Sequence, residues 1–170
     1  MSNRVVELVR LEPITVIGLR VEAPWNQLFE AVPDAWRQLF RRADDLRRFM
    51  SQKQSFLEVS VDVRDGVYTE LVGVQAQNAP AACPVEMRRL DIPAGEWLHL
   101  VHTGPLAGIA DGFSALYAHA ETAGLAVSDV KLDFGYTAAG EDRPHDLYLS
   151  LKSNDAPRWR ERTPEELENG

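Results

Sequence analysis

Cysteine is all but missing from this chain. Cys83 stands alone, so no disulfide can close within it, and a reducing compartment, the cytoplasm, is the expected setting. Long apolar runs are missing too. No stretch approaches the roughly 18 uninterrupted apolar residues of a membrane-spanning helix. The opening residues, MSNRVVELVRLEP, carry charges at Arg4, Glu7 and Arg10, where a secretory leader needs an apolar core. Positive charge is in deficit: 18 Lys and Arg face 26 Asp and Glu, a net charge of −8. That argues against a nucleic-acid surface, which needs a basic stripe, and is compatible with cationic ligands.

Catalytic signatures are also absent. Ser114 falls in a helical pattern with no G-x-S-x-G around it. Gly104, Gly108 and Gly112 repeat at four-residue spacing, but no Lys-Ser/Thr follows, so they read as close helix–sheet packing and not as a phosphate loop. His99 and His102 are three apart on a strand and point to opposite faces. His119 is helical and His145 sits in a turn. With no Cys or carboxylate at ligand spacing, a zinc site is not expected, and no cofactor is implied. Cys83 has no His or Asn pattern beside it and reads as a structural or incidental thiol.

What is present describes one domain with a substantial core: 170 residues, 45% of them hydrophobic. Residues 5–11 and 14–21 are strand candidates, the second rich in β-branched side chains. From Trp25 the period changes. Trp25, Leu28, Phe29, Val32, Trp36, Leu39, Phe40 and Ala43 form one helical stripe, and Pro33 inside it implies a kink or a restart. Residues 44–53 are polar and read as a loop or a short extra turn. Residues 56–63 alternate, and Arg64-Asp65-Gly66 is a turn that should pair them with 67–75 as a hairpin. Residues 77–84 form a connector. Residues 85–91 and 96–102 are the next pair of strands, separated by Pro93 and Gly95. Gly104-Pro105 then opens a second amphipathic helix, ending near Ala123-Gly124. Strands at 130–136 and 146–152 follow, and from Ser153 the chain reads as a charged surface tail, with a short helix after Thr163.

The order strand, strand, helix, strand, strand thus occurs twice, about residues 5–76 and 85–152. Glu7, Arg10, Leu11 and Glu12 match Glu86, Arg89, Leu90 and Asp91 at a constant offset, which favours an internal duplication. Antiparallel hairpins with two helices on one face make an α+β architecture.

This layout resembles the GyrI-like small-molecule-binding family, the effector-binding domains of AraC- and MerR-type multidrug-responsive regulators. The likeness rests on Trp36 and Phe40 in the first helix, Val67-Tyr68-Thr69-Glu70, Ile92-Pro93-Ala94-Gly95, the His102-Thr103-Gly104-Pro105 corner and Asp146-Leu147-Tyr148. It implies residues 1–153 as a binding domain of two SHS2-like modules with a central groove, and 154–170 as a tail. The groove is expected to sense or sequester a lipophilic cation or aromatic compound, with aromatic walls and a buried acid. No helix-turn-helix precedes Val5, so a stand-alone binder without direct nucleic-acid contact is expected. Asp146 stands where the family tends to carry Glu.

The candidate ligand-binding residues are Trp36, Phe40, Tyr68, Glu70, Trp97, His99, Asp146 and Tyr148. Rings offer a planar cation stacking and cation–π contact, and a partly desolvated carboxylate offers charge pairing. Glu70 is the first choice of counter-charge and Asp146 the second. A non-enzymatic role is expected. The alternatives implied by the resemblance are a hydrolase of reactive small molecules, with Glu70 activating water and Tyr68 donating a hydrogen bond, and a gyrase-inhibitor-like protein-interaction module.

Overall fold

Alternating apolar and polar residues, punctuated by Pro and Gly, fold as antiparallel strands with helices laid on one side. The computed structural model describes residues 4–50, 56–78, 80–153 and 159–169. In chain order these form β1 (Glu7–Leu11), β2 (Ile14–Pro24), α1 (Trp25–Arg41), α2 (Ala43–Leu46), β3 (Phe56–Arg64), β4 (Val67–Ala76), β5 (Arg88–Ile92), β6 (Gly95–His102), α3 (Ile109–Ala123), β7 (Val127–Phe134), β8 (His145–Leu151), β9 (Arg160–Arg162) and α4 (Pro164–Glu168). The architecture is α+β. No helix among the described residues is long and apolar enough to cross a membrane.

Several local readings hold. Asp65 and Gly66 both adopt positive φ, as a two-residue hairpin turn of the I′ type requires, and β3 pairs with β4 around them. Gly124 closes α3 in the left-handed conformation. Pro33 neither breaks nor restarts the first helix: α1 runs unbroken through it, and of the expected stripe Trp36 and Leu39 are buried while Trp25 and Phe29, at the start of the helix, stand exposed. The polar stretch after α1 is more ordered than expected, holding α2 and a 3-10 turn at Arg47–Phe49, while 51–53 lie outside the described residues.

The sheet order is β1-β6-β8-β7-β3-β4-β2-β5-β9, with every neighbouring pair antiparallel. This corrects the expected hairpins at the start of each repeat. β1 does not pair with β2 but with β6, and β5 pairs not with β6 but with β2. Pro13 and Pro93 hold the preceding residues extended, so the chain crosses a corner instead of folding back. Partner numbers add to 106 in both β1–β6 and β2–β5. The two bent segments are therefore one continuous antiparallel ribbon, and it ties together the two ends of a strongly curled sheet. Gly18 and Gly73 face each other across β2–β4, where a side chain on either would strike backbone at 2.0–2.2 Å. Their bareness lets the sheet bend there.

Each half has the same strand order. β3-β4-β2 with α1 and β7-β8-β6 with α3 meet at the β3–β7 seam. Strand parity sorts the core into three parts. Ile17, Val21, Val72 and Val74 pack under α1, and Leu98, Leu100, Leu147 and Leu149 under α3. On the opposite, inner face, Val16, Leu57, Val59, Leu71, Leu90, Trp97 and Leu132 fill the curl. Gly112 brings α3 onto Leu147 and Leu100, the close packing its spacing implied. The C-terminal stretch is not only a surface tail. β9 extends the sheet beside β5, Thr163 caps α4, and Leu167 is buried with the α1 cluster. Residues 154–158 lie outside the described residues.

Candidate functional site

α1 packs on β2 and β4, and α3 on β6 and β8. The seam strands β3 and β7 are left between the two helices, and beyond Phe56 their paired helix-side residues, Glu58 and Ser60 on β3 and Lys131 and Asp133 on β7, are polar. Register places Glu58 opposite Asp133, and Ser60 opposite both Lys131 and Glu70. Carboxylates on adjacent strands of one face repel, a pairing that sheets normally avoid.

A hydrogen-bonded chain runs through this cluster. The Tyr136 hydroxyl lies 2.6 Å from Asp133 Oδ2 and 3.0 Å from Glu58 Oε2. One hydroxyl proton serves one carboxylate at a time, so the second contact is met when Glu58 carries a proton of its own. His145 Nδ1 donates to Asp133 Oδ1 at 2.6 Å, which leaves its Nε2 buried without a partner. Ser60 Oγ donates to Glu70 Oε2 at 2.8 Å. Glu70 is 6% exposed, Asp133 4% and His145 0%. Glu58 keeps some residue surface in solvent, but its carboxyl end is enclosed. Burial, then the Asp133 charge, pushes the Glu58 carboxyl up to about 7. Burial, then the Glu58 charge, pushes Glu70 up to about 8. Lys131 pulls both the other way.

Aromatic rings cover the acids. Trp36 stacks on Tyr136 at 4.5 Å and on Phe40 at 5.3 Å, and Phe40 meets Phe56 at 4.9 Å. The Trp36 indole N–H favours the charged form of Glu58, yet it makes no hydrogen bond of good geometry. Among the described residues no group of three or more His, Cys, Asp or Glu side chains is arranged to hold a metal ion.

A model of the GyrI-like small-molecule-binding domain matches residues 4–150. The chain belongs to that family. Solved structures with the same fold include SAV2435 bound to tetraphenylphosphonium (9% identity, TM-score 0.68, covering 86% of this chain and 93% of that one). The C-terminal domain of EcmrR is similar at 12% identity and TM-score 0.64, over 88% and 98% of the two chains. A hydrolase from Listeria innocua is similar at 12% identity and TM-score 0.52, over 88% and 92%. No curated protein sequence matches the chain significantly.

The GyrI-like fold divides the eight candidate residues between two faces. Trp36, Phe40 and Glu70 are all on the helix side, the two rings near Phe56 and Tyr136 and Glu70 beside Ser60. Tyr68 shares the Glu70 face but lies farther along β4, against the exposed Trp25 at 5.5 Å. Trp97, His99, Asp146 and Tyr148 are on the inner face. Trp97 is 2% exposed there, and Tyr148 stacks on His99 at 4.6 Å. Asp146 accepts from His99 Nε2 at 2.8 Å and is half-exposed. It cannot share a groove with Glu70, because its neighbour Leu147 is the residue of β8 that turns toward α3. Glu58, Asp133, Tyr136 and His145 escaped the sequence reading. Glu58 and Asp133 looked like the solvated side of alternating strands, and His145, assigned to a turn, begins β8.

Proposed function

We propose that this GyrI-like domain binds flat or aromatic lipophilic cations on the helix side of the β3–β7 seam. One observation carries the reading: the buried carboxylates Glu58, Glu70 and Asp133 cluster on one face of the sheet, and the stacked rings of Trp36, Phe40, Phe56 and Tyr136 lie beside Glu58 and Asp133. Buried carboxylates that repel one another are relieved by a cation, and rings supply its desolvated surroundings. The guest enters by displacing Trp36, whose N–H has only a weak interaction with Glu58 to give up in moving. The fold's likeness to a protein solved with tetraphenylphosphonium supports the same ligand class.

Calorimetric titration with tetraphenylphosphonium tests this. Glu58→Gln and Glu70→Gln are each expected to weaken binding by about 10- to 100-fold, equivalent to 1–3 kcal/mol. Wild-type affinity should rise with pH as both acids ionise near 7 and 8. Affinity indifferent to both substitutions and to pH counts against the seam.

A second reading, hydrolysis of a reactive electrophile, is favoured by the Asp133–His145 pair. A carboxylate orients this imidazole and leaves its Nε2 buried and unpartnered, able to take a proton from a water once the seam opens to admit a substrate. Esterase turnover that His145→Gln abolishes while cation affinity is unchanged would establish it.

A further inference from the structure

The seam already holds a cation of its own. Lys131 sits in the middle of β7 on the helix side, opposite Ser60, whose other cross-strand neighbour is Glu70. Its side chain turns toward α3. Nζ lies 5.4 Å from the centre of the Phe113 ring and 5.7 Å from that of Tyr117. Those residues are one helical turn apart on the same side of α3. Nζ therefore occupies an aromatic pair while it draws on the charges of Glu58 and Glu70. The wall opposite, Trp36 and Phe40 of α1, is closed ring against ring.

We propose that Lys131 is a tethered competitor: its ammonium occupies the Phe113–Tyr117 side of the seam, and a guest cation must displace it to bind. The proposal rests on the cation-binding reading above and adds to it a second aromatic wall and a residue that sets affinity. A lysine lies a few single-bond rotations from solvent, so displacement costs little beyond its contacts. While it stays, it lowers the affinity for a cationic guest, which competes for the same rings and carboxylates, by the strength of those contacts. It also discriminates by charge, because a neutral aromatic compound has no use for the carboxylates Lys131 serves.

The test is titration of wild type, Lys131→Gln and Lys131→Arg with tetraphenylphosphonium and with neutral triphenylphosphine oxide, above the pH at which Glu58 and Glu70 ionise. Lys131→Gln is expected to bind the phosphonium about tenfold more tightly, the size of one cation–π contact. Its affinity for the neutral oxide should be unchanged, and Lys131→Arg should behave as wild type. Lys131→Met replaces the Gln variant if circular dichroism shows the latter unfolded. An unchanged or weaker phosphonium affinity in the charge-removed variant, with wild-type binding still dependent on Glu58 or Glu70, overturns the role of Lys131 and leaves the seam as the site. Absent wild-type binding, or binding indifferent to both Glu58→Gln and Glu70→Gln, overturns the reading beneath it as well.

Discussion

Replacing Glu70 with Gln should make this protein more stable in alkaline solution and not in acid. Glu70 is 6% exposed and accepts from Ser60 at 2.8 Å, a contact that the Gln amide oxygen also makes. Its folded-state pKa is raised from 4.5 to about 8, by burial and then by the charge of Glu58. The sign follows from proton counting. Between these two pH values the unfolded chain has lost a proton that the folded one keeps. The favourable contribution of the neutral carboxyl is thus complete below about 4.5 and is lost as pH rises to about 8. Three and a half pH units at about 1.4 kcal/mol each set a ceiling on the order of 5 kcal/mol. Sharing of the repulsion with Glu58 and entry of water bring the expected difference to about 2–3 kcal/mol. At this chain length that is a rise in Tm of about 5–10 °C. Thermal melts of both proteins by circular dichroism between pH 4 and pH 9 measure it. The curves should coincide at the acid end and separate through pH 5–8, the variant melting higher. A variant that loses the same stability at every pH, or gains none at pH 9, would refute the buried-carboxyl argument.

Other expectations concern the scaffold. Gly73→Ala would drive a methyl into Ile17 O at 2.2 Å, so it should cost about 3 kcal/mol or more and lower the melting temperature sharply, whereas Gly66→Ser meets no neighbouring atom and should cost only the backbone strain of its positive φ, about 1–2 kcal/mol. Leu167→Ala should cost about 2 kcal/mol in denaturant melts, because Leu167 is buried with the α1 cluster; no effect would mean that α4 is not docked in solution.

Local signals account for what was legible. Alternation, Asp65-Gly66, the Gly124 cap and the helical stripe from Trp25 each act over a few residues, and each produced its element. The exchange of β1 and β5 between halves is non-local. It depends on how far the sheet curls, which Gly18 and Gly73 permit from opposite strands. The candidate site was half legible for the same reason. Parity put Glu70 and Tyr68 on one face and Asp146 and Tyr148 on one face, but it cannot say that those two faces are opposite sides of one sheet. The alternation that marked Glu58 and Asp133 as polar is the pattern of any solvated strand. Only the meeting of β3 with β7 under Trp36 and Tyr136 makes them a buried cluster.

The most direct measurement is a crystal structure of the protein with tetraphenylphosphonium. The cation should rest on the helix side of β3 and β7, with the ring of Trp36 turned aside, Glu58 or Glu70 facing the phosphorus and Lys131 withdrawn from Phe113. A cation found instead on the inner face, against Trp97, His99 and Tyr148, with the rings over Glu58 unmoved, would contradict the account.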